Sequence, residues 1–397
     1  MLSIVLIAYL GQMTLTPIIA PFARESGLAE WQIGVTISAA ALMVVATSQF
    51  WGTRAQSWGS KRVLVSALAI AFSAMTLFAV LAGLGTAGVV TGVTLFVLFL
   101  LVRGILFGGA ISAIAPTAQT FITGVTHTEA ERVRGLAGVG AVQGIAMIGG
   151  SVVGGLLAGF GIMVAIWAVP VLLAIALILT LAGLRPESGG ERLSAPVRVR
   201  PFDRRVFPYL LAGFGLFTAL GFIQILTGFI IQDRYQLGSE QAGLATGGAM
   251  LTAGIGMVLA QAVIVPRLRV SPASLIRIGA PLAMLGFIGL MPNLPFWAVV
   301  VTIFVIGLGM GIATPGYTAG PTLNVSRAEQ GGLAGLIGAT NGLTFVIAPT
   351  LGTALYTVWA PLPVIAGGIV LAIVSVHALT HPGLREGARA AALRSES

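Results

Sequence analysis

Long apolar stretches alternate with short polar loops along the whole chain. A helix needs about 20 mostly apolar residues to cross a bilayer, and twelve stretches approach or reach that length between charged residues, prolines or tryptophans. They predict transmembrane helices at 2–22, 32–52, 62–84, 93–116, 135–160, 162–184, 207–231, 241–264, 274–292, 296–318, 331–355 and 361–379. The pattern therefore predicts an all-α membrane protein.

Composition supports a membrane environment and excludes several classes of protein. Of the 397 residues, 57% are hydrophobic and only 8% are charged, which is too little charge for a soluble globule of this size. The chain has no cysteine and only three histidines, which lie at loops or span ends, and its glycine-rich segments lack the Lys-Ser/Thr of a nucleotide-binding loop. We therefore expect no enzymatic activity, no cofactor and no metal site.

The arginines predict the orientation of the chain in the membrane. If the N-terminus is cytoplasmic, the loops on the opposite side hold only Arg24 and Arg234, and the remaining loop arginines face the cytoplasm. Both termini are then cytoplasmic, as in a multi-pass protein of a bacterial inner membrane. The net charge of +9 reflects contact with anionic lipid headgroups, and because the charges are spread over separate short loops we expect no nucleic-acid partner.

An internal repeat divides the chain into two similar halves. The stretch Gly-Leu-Ala-Gly at 135–138 recurs about half a chain later at 332–335, and an amide follows in each copy, Gln143 and Asn341. Duplicated membrane units of this kind are typical of transporters. The Gly-, Pro- and Arg-rich segment between the halves predicts a flexible linker. The predicted organisation is a six-helix bundle at 1–184, a cytoplasmic linker at 185–206, a second six-helix bundle at 207–380 and a cytoplasmic tail at 381–397.

The span number, the half-repeat and the long central loop resemble the major facilitator superfamily, and within it the twelve-helix drug/proton antiporter branch. Pro17 and Pro21 resemble the double proline of that branch near the outer end of the first helix. Prolines there free backbone carbonyls and permit a bend that a gate can use. Simple termination of the helix is an equally good interpretation for Pro21.

Two further motifs resemble the gating elements of this family. The loop after the second span keeps the expected glycines and basic pair but has an amide in place of the acid, so a latch built from it should be weaker. Span five resembles the antiporter motif, with a proline only in the matching part of span eleven; helix packing alone is the simpler interpretation of its glycines. The resemblance assigns gating roles to Pro17, Pro21, Gly52, Gln56, Gly59, Lys61, Arg62, Gly150, Gly154 and Pro349.

Arg103 is the only ionisable side chain deep inside a predicted span. A guanidinium facing lipid is costly, so Arg103 must face the protein interior or a wet cavity. The family also places an arginine in this span, which implies a role in substrate binding or proton coupling. The alternative is a structural arginine satisfied by carbonyls and packing.

The resemblance implies a cavity lined mainly by spans one, four, seven and ten. The polar and aromatic candidates for substrate binding are Tyr9, Gln12, Thr16, Arg103, Phe222, Gln224, Thr227 and Tyr317, together with Gln143 and Asn341 in spans five and eleven. Each amide can equally serve as an interhelical hydrogen bond.

All twelve acidic residues lie in loops or at span ends. Proton antiporters need a titratable group whose exposure changes during transport, and the candidates here are Asp233 and Glu25, with Arg103 as a further coupling residue. The alternative for both acids is an interfacial, solvated carboxylate. A cationic substrate would favour a buried acid, which the chain lacks, so an anionic, zwitterionic or neutral substrate fits better.

The combined interpretation is a monomeric secondary transporter. We expect it to export a small, partly apolar molecule, such as a drug-like compound, a secreted metabolite or a siderophore, by alternating access and proton antiport. One alternative is uptake or uncoupled exchange of a metabolite. Another is a membrane sensor or scaffold that transports nothing.

Overall fold

The structure is a computed structural model that describes residues 1–126, 129–184, 199–268, 270–326, 329–382 and 384. Within its helices, the side chains of residues 56, 123, 129–130, 132–134, 136–137 and 331 fall outside the description. Most of the predicted linker and nearly all of the predicted tail also lie outside the described residues.

The described part of the chain is built from helices. Their bounds are α1 Leu2–Thr14, α2 Ile19–Glu25, α3 Glu30–Trp58, α4 Ser60–Thr86, α5 Gly92–Phe99, α6 Phe107–Ile111, α7 Ile114–Val125, α8 Glu129–Ala158, α9 Ile162–Gly183, α10 Phe207–Tyr235, α11 Ser239–Leu259, α12 Val265–Leu268, α13 Pro272–Gly289, α14 Phe296–Ala319, α15 Gln330–Val358 and α16 Leu362–Thr380. Short 3₁₀ turns at Thr16–Ile18 and Pro321–Asn324, and π-helical turns at Leu100–Leu106 and Ala260–Ile264, continue or join these helices.

Twelve helical stretches of the described chain are long and apolar enough to cross a membrane, which confirms the predicted fold class. We number them spans one to twelve: Leu2–Glu25, Glu30–Ala55, Ser60–Thr86, Gly92–Ile122, Gly138–Ala158, Ile162–Gly183, Phe207–Tyr235, Ser239–Leu268, Pro272–Gly289, Phe296–Asn324, Gly332–Val358 and Leu362–Thr380. If each crosses once, the loops alternate between two sides. The side on which span one begins is called the near side, and the side on which it ends is called the far side.

The chain forms two compact units. The first unit comprises Met1–Leu193 and Thr227–Gly248, and the second comprises Ser194–Leu226 and Ala249–Ser397. The hairpin formed by the end of span seven and the start of span eight thus clusters with the first six spans; it is called the 227–248 hairpin below. The division into bundles at 184 and 207 stays a prediction.

Each unit has its own close packing. In the first, the rings of Phe22, Phe78 and Phe99 form a cluster with centroids 4.7 to 5.8 Å apart, which joins spans one, three and four. In the second, a Cβ atom on Gly279 would lie 2.4 Å from the carbonyl oxygen of Gly309, so the backbones of spans nine and ten touch. Small residues allow such contact where lipid supplies no hydrophobic driving force.

Two breaks in regular helix have identifiable causes. Proline has no backbone N–H, so Pro17 cannot continue the hydrogen bonding of α1, and a 3₁₀ turn separates α1 from α2. Between spans two and three the chain turns at Gly59, whose φ of 87° is a conformation that glycine adopts without strain.

Candidate transport site

Span five packs against span one through two glycines. A Cβ atom on Gly150 would lie 2.5 Å from the Cβ of Met13, and one on Gly154 would lie 2.0 Å from the carbonyl oxygen of Thr14. Both distances are well below van der Waals contact, so the two backbones touch directly. Gly154 therefore faces the last residue of α1, next to the break at Pro17. The role of these glycines in gating stays a prediction.

Arg103 lies in the π-helical turn Leu100–Leu106, within span four. Its side chain is buried, being 7% exposed, whereas Leu101, Ile105 and Leu106 on other faces of the turn are 41% to 50% exposed. The guanidinium carbon is 4.9 Å from the ring centroid of Phe107. Arg103 therefore points into the protein, as its cost in lipid requires.

The guanidinium of Arg103 lacks the usual partners of a buried charge. Its Nε has no hydrogen-bond partner among the described residues, and none of the ion pairs of the described chain involves it. The expectation of a structural arginine satisfied by carbonyls thus finds no support in the described contacts.

Glycines hold the turn around Arg103 against span two. A Cβ atom on Gly104 would lie 3.1 Å from the Cβ of Ala39, and one on Gly108 would lie 2.6 Å from the Cα of Ala40. The second distance leaves no room for a side chain. Span four is therefore held against span two by close contact at the residue after Arg103 and again four residues further on.

The two amides that occupy matching places in the repeat each bond to a tyrosine. In the first unit the side chains of Tyr9 and Gln143 share a hydrogen bond. In the second unit the hydroxyl of Tyr317 donates to Oδ1 of Asn341 over 3.0 Å. Tyr317 fits because Gly213 has no side chain, since a Cβ there would lie 2.0 Å from Cε2 of Tyr317. Both amides thus join neighbouring spans, which agrees with the hydrogen-bonding alternative.

The other predicted cavity residues are distributed over both units. Gln12 is partly buried, and its Oε1 is enclosed with no hydrogen-bond partner among the described residues. Thr16 lies in the 3₁₀ turn of span one. Phe222 and Thr227 are buried and Gln224 is partly buried. Of these three, Thr227 belongs to the first unit and the other two to the second.

A cluster of charged side chains lies at the far side of the first unit. Arg24, near the end of span one, donates from both Nη atoms to the carboxylate of Asp233, near the end of span seven, with the Nη2 to Oδ2 bond at 2.7 Å. Glu30 lies 3.5 Å from the same Nη2. The guanidinium carbon of Arg24 is also 5.6 Å from the ring centroid of Phe229.

The structure shows a partner for Asp233 that sequence reasoning missed. The bidentate bond to Asp233 comes from Arg24, which lies 209 positions away in the chain. The signal was present, because Arg24 and Arg234 are the only arginines of the predicted outer loops. Glu25, the other predicted coupling acid, is exposed at the end of α2.

Close glycine contacts attach the 227–248 hairpin to spans one and five. A Cβ atom on Gly228 would lie 2.9 Å from the Cβ of Ala20, and one on Gly247 would lie 2.6 Å from the Cα of Gly155. The hairpin therefore has two kinds of attachment to the first unit: small-residue packing along its length, and the Arg24–Asp233 ion pair at its tip.

The loop after span two is described only in part. Lys61 donates to the carbonyl oxygen of Leu181 over 2.7 Å, at the end of span six, where a cation is favourable because helix carbonyls are unpaired there. Arg62 is exposed, Gly52 lies against Pro116, and the side chain of Gln56 falls outside the described residues.

The remaining predicted gating prolines are buried within helices. Pro17 and Pro21 lie in span one, and Pro349 lies inside α15. No described contact assigns them to a gate, so that role stays a prediction. Among the described residues no group of three or more His, Cys, Asp or Glu side chains could hold a metal ion.

A second charge cluster lies on the near side of the second unit. Arg205 donates to Asp203 over 2.7 Å and to Glu329 over 2.9 Å. The hydrogen bond from Arg205, with further bonds from the backbone and hydroxyl of Ser326, lowers the pKa of Glu329 to about 2. The same arginine lowers the pKa of Asp203. This cluster ties the start of the second half to the loop before span eleven.

The described chain has twelve apolar spans in two units, with polar side chains buried within the spans. It belongs to the Major Facilitator Superfamily, whose family model matches residues 1–319, and it is therefore a membrane transporter rather than an enzyme.

Similar proteins include resistance proteins of bacteria. The chain is 28% identical over 367 residues to "Tetracycline resistance protein, class G" of Vibrio anguillarum, covering 88% of each chain. It is 24% identical over 386 residues to "Multidrug resistance protein 2" of Bacillus subtilis (strain 168), covering 94% of this chain and 92% of that one. Its fold matches the crystal structure of a bacterial homolog of the human lysosomal transporter Spinster, with a TM-score of 0.73, 12% identity, and 98% and 97% of the two chains covered.

Proposed function

We propose that this protein exports a small organic molecule across the inner membrane of a bacterium by alternating access, driven by protons that move inward. The relatives named for resistance to tetracycline and to multiple drugs support this direction, since export of a compound produces resistance to it. The distribution of arginines supports cytoplasmic termini, which makes the far side periplasmic. A drug-like compound, a secreted metabolite or a siderophore fits the composition of the spans.

The bidentate bond between Arg24 and Asp233 is the observation that carries the coupling proposal. It joins span one to the 227–248 hairpin at the far side of the first unit. The side chains of Arg24 and Asp233 are 28% and 39% exposed, so protons from the far side can reach the carboxylate. A carboxylate that is accessible to protons and also holds the 227–248 hairpin on span one is suited to link its protonation to opening of the far side.

The proposed step is a change in the charge of Asp233. The ionised carboxylate accepts two hydrogen bonds from Arg24 and holds the hairpin on span one. A proton on Asp233 removes its charge, weakens the bond and leaves Arg24 with Glu30, which is 3.5 Å away. The hairpin then keeps its glycine contacts but loses the ion pair at its tip, and opening of the far side becomes easier.

The test uses purified protein in proteoliposomes, loaded with tetracycline or a fluorescent dye, with and without an imposed pH gradient. We expect the wild-type protein to accumulate its substrate against a gradient. In the variant Asp233→Asn, accumulation driven by the pH gradient should fall to background, while downhill exchange continues, because asparagine cannot cycle between charged and neutral forms.

Glu240→Gln is the matched control, since Glu240 is an exposed acid on the same hairpin. It should retain gradient-driven accumulation. If accumulation persists in Asp233→Asn, in Glu25→Gln and in the double variant, the coupling scheme is wrong.

Uncoupled exchange is the second candidate function, and one observation favours it. The acids of the described spans lie at span ends, so no carboxylate is available for a proton site deep in the membrane. Transport that is insensitive to a pH gradient in the wild-type protein would establish this alternative.

A further inference from the structure

The starting observation is a buried cation without a counter-ion. Arg103 is 7% exposed, its Nε has no hydrogen-bond partner among the described residues, and its one described interaction is with the face of Phe107. A charge in the membrane interior is stable only when it is paired or hydrated. The contacts of Arg103 therefore leave it incomplete.

The described acids at the far side of the first unit do not complete it. Asp233 and Glu30 are within ion-pair distance of Arg24 at the far end of span one. Glu25 and Glu240 are exposed at span ends. No described acid lies within a span at the depth of Arg103, so none of the described residues supplies an anion for it.

The surroundings of Arg103 restrict the chemistry of that anion. Guanidinium is a planar donor that matches the two oxygens of a carboxylate. Phe99, Val102 and Phe107, its neighbours along span four, are buried and apolar. A ligand with a carboxylate beside an apolar body would satisfy both features.

The turn that carries Arg103 is fixed against span two. Gly104, within the π-helical turn, and Gly108, just after it, bring the backbone of span four into contact with Ala39 and Ala40. Such π-helical turns occur often at functional sites, because the extra residue redirects a side chain. The guanidinium is thus held in place before any ligand binds.

We propose that Arg103 is the binding site for the carboxylate of an amphipathic organic anion, and that such anions are the substrate class of this protein. This proposal rests on the proposed export function. Measuring the binding of anions separately from transport distinguishes a failure of the one from a failure of the other. A monovalent inorganic anion such as chloride shares the attraction to guanidinium, so the experiment separates the two.

The experiment measures equilibrium binding to detergent-purified full-length protein by isothermal titration in a buffer without chloride. The probes are benzoate, 1-naphthoate and decanoate, each compared with its neutral amide, and sodium chloride alone. The variants are Arg103→Gln and Arg103→Lys. The matched control is Arg267→Gln, which removes the same charge from an exposed arginine at the end of span eight.

We expect at least one carboxylate to bind the wild-type protein about tenfold more tightly than its amide, as a charge-assisted hydrogen bond provides. Arg103→Gln should remove the preference, Arg103→Lys should keep part of it, and Arg267→Gln should keep all of it. The comparison of acid with amide needs only wild-type protein, so it holds even if Arg103→Gln does not fold.

Equal binding of every acid and amide would overturn the proposal. Saturable binding of chloride that excludes the carboxylates would overturn the organic class and leave an inorganic anion site. If wild-type proteoliposomes transport tetracycline or dye and Arg103→Gln does so equally well, export stands and the anion site falls. If wild-type protein binds the carboxylates but transports nothing, the export function falls instead.

Discussion

Replacing Gly154 by alanine tests whether contact between spans one and five is required for a working protein. The added Cβ would lie 2.0 Å from the carbonyl oxygen of Thr14 and 3.0 Å from Cγ of Pro17. A carbon normally stays about 3.3 Å or more from a carbonyl oxygen, so the helices would have to separate by about 1.3 Å. The opposing atoms belong to backbone and to a proline ring, which cannot rotate away.

The magnitude follows from a control in the same helix. Gly144 also lies in α8, and a Cβ there would meet no heavy atom within 4 Å. Each substitution, Gly154→Ala and Gly144→Ala, should stabilise α8 by about 1 kcal/mol, because alanine favours the helix more than glycine does. The difference between the two variants is therefore the cost of overpacking, which we expect to be about 1–3 kcal/mol against Gly154→Ala.

Thermal unfolding of the purified variants in detergent measures this difference, and proteoliposome transport measures its effect on function. Gly154→Ala should melt below Gly144→Ala and transport more slowly than the wild-type protein, because it displaces span one at the break before Pro17. Gly144→Ala should melt at or slightly above the wild-type temperature and transport at the wild-type rate. Equal melting temperatures of the two variants, with transport at the wild-type rate, would show that the contact between spans one and five has room for a methyl group, and would refute the reasoning.

Two further predictions concern the second unit. The hydrogen bond from Arg205 lowers the pKa of Glu329 from 4.5 to about 2, so the ionised Glu329 stabilises the fold fully above pH 4.5 and progressively less as the pH falls toward 2. The melting temperature of the protein should therefore drop over this pH range. The drop should be less steep in Glu329→Gln, which has no carboxylate to protonate. Gly213→Ala should destabilise the protein because its Cβ would lie 2.0 Å from the ring of Tyr317, and the penalty should disappear in the background Tyr317→Ala, as a double-mutant melting series would show.

The spans could be predicted from sequence because crossing a bilayer imposes a length of apolar helix that few other structures need. Span one was also correctly placed, and its break falls at Pro17, whose missing N–H removes one hydrogen bond of the helix. Helix ends were less accurate; α3 runs from Glu30 to Trp58, whereas the apolar pattern gives 32–52. Polar residues can extend a helix beyond the membrane without changing the hydrophobic pattern.

The contacts of the candidate site could not be predicted in the same way. The partner of Asp233 is Arg24, 209 positions away, and nothing in local spacing joins them. Periodicity also gave no sign of the π-helical turn around Arg103, since one extra residue in a turn leaves an apolar run unchanged. Gln143 and Asn341 occupy matching places in the repeat, but their tyrosine partners do not, since Tyr9 lies in span one and Tyr317 in span ten; the repeat therefore predicts the amides and not their partners.

The positions of the charged groups suggest that proton and substrate act at different places in the first unit. Asp233 is bonded to Arg24 at the far end of span one, whereas Arg103 lies inside span four and none of the described acids forms an ion pair with it. Under the two proposals above, the proton and the substrate do not compete for one carboxylate. Coupling would instead have to pass through the attachment of the 227–248 hairpin, which protonation weakens and which the glycine contacts with spans one and five oppose. It follows that Asp233→Asn should change the driving force without changing affinity for a carboxylate, while Arg103→Gln should do the reverse; loss of both properties in either single variant would mean that the two sites are one.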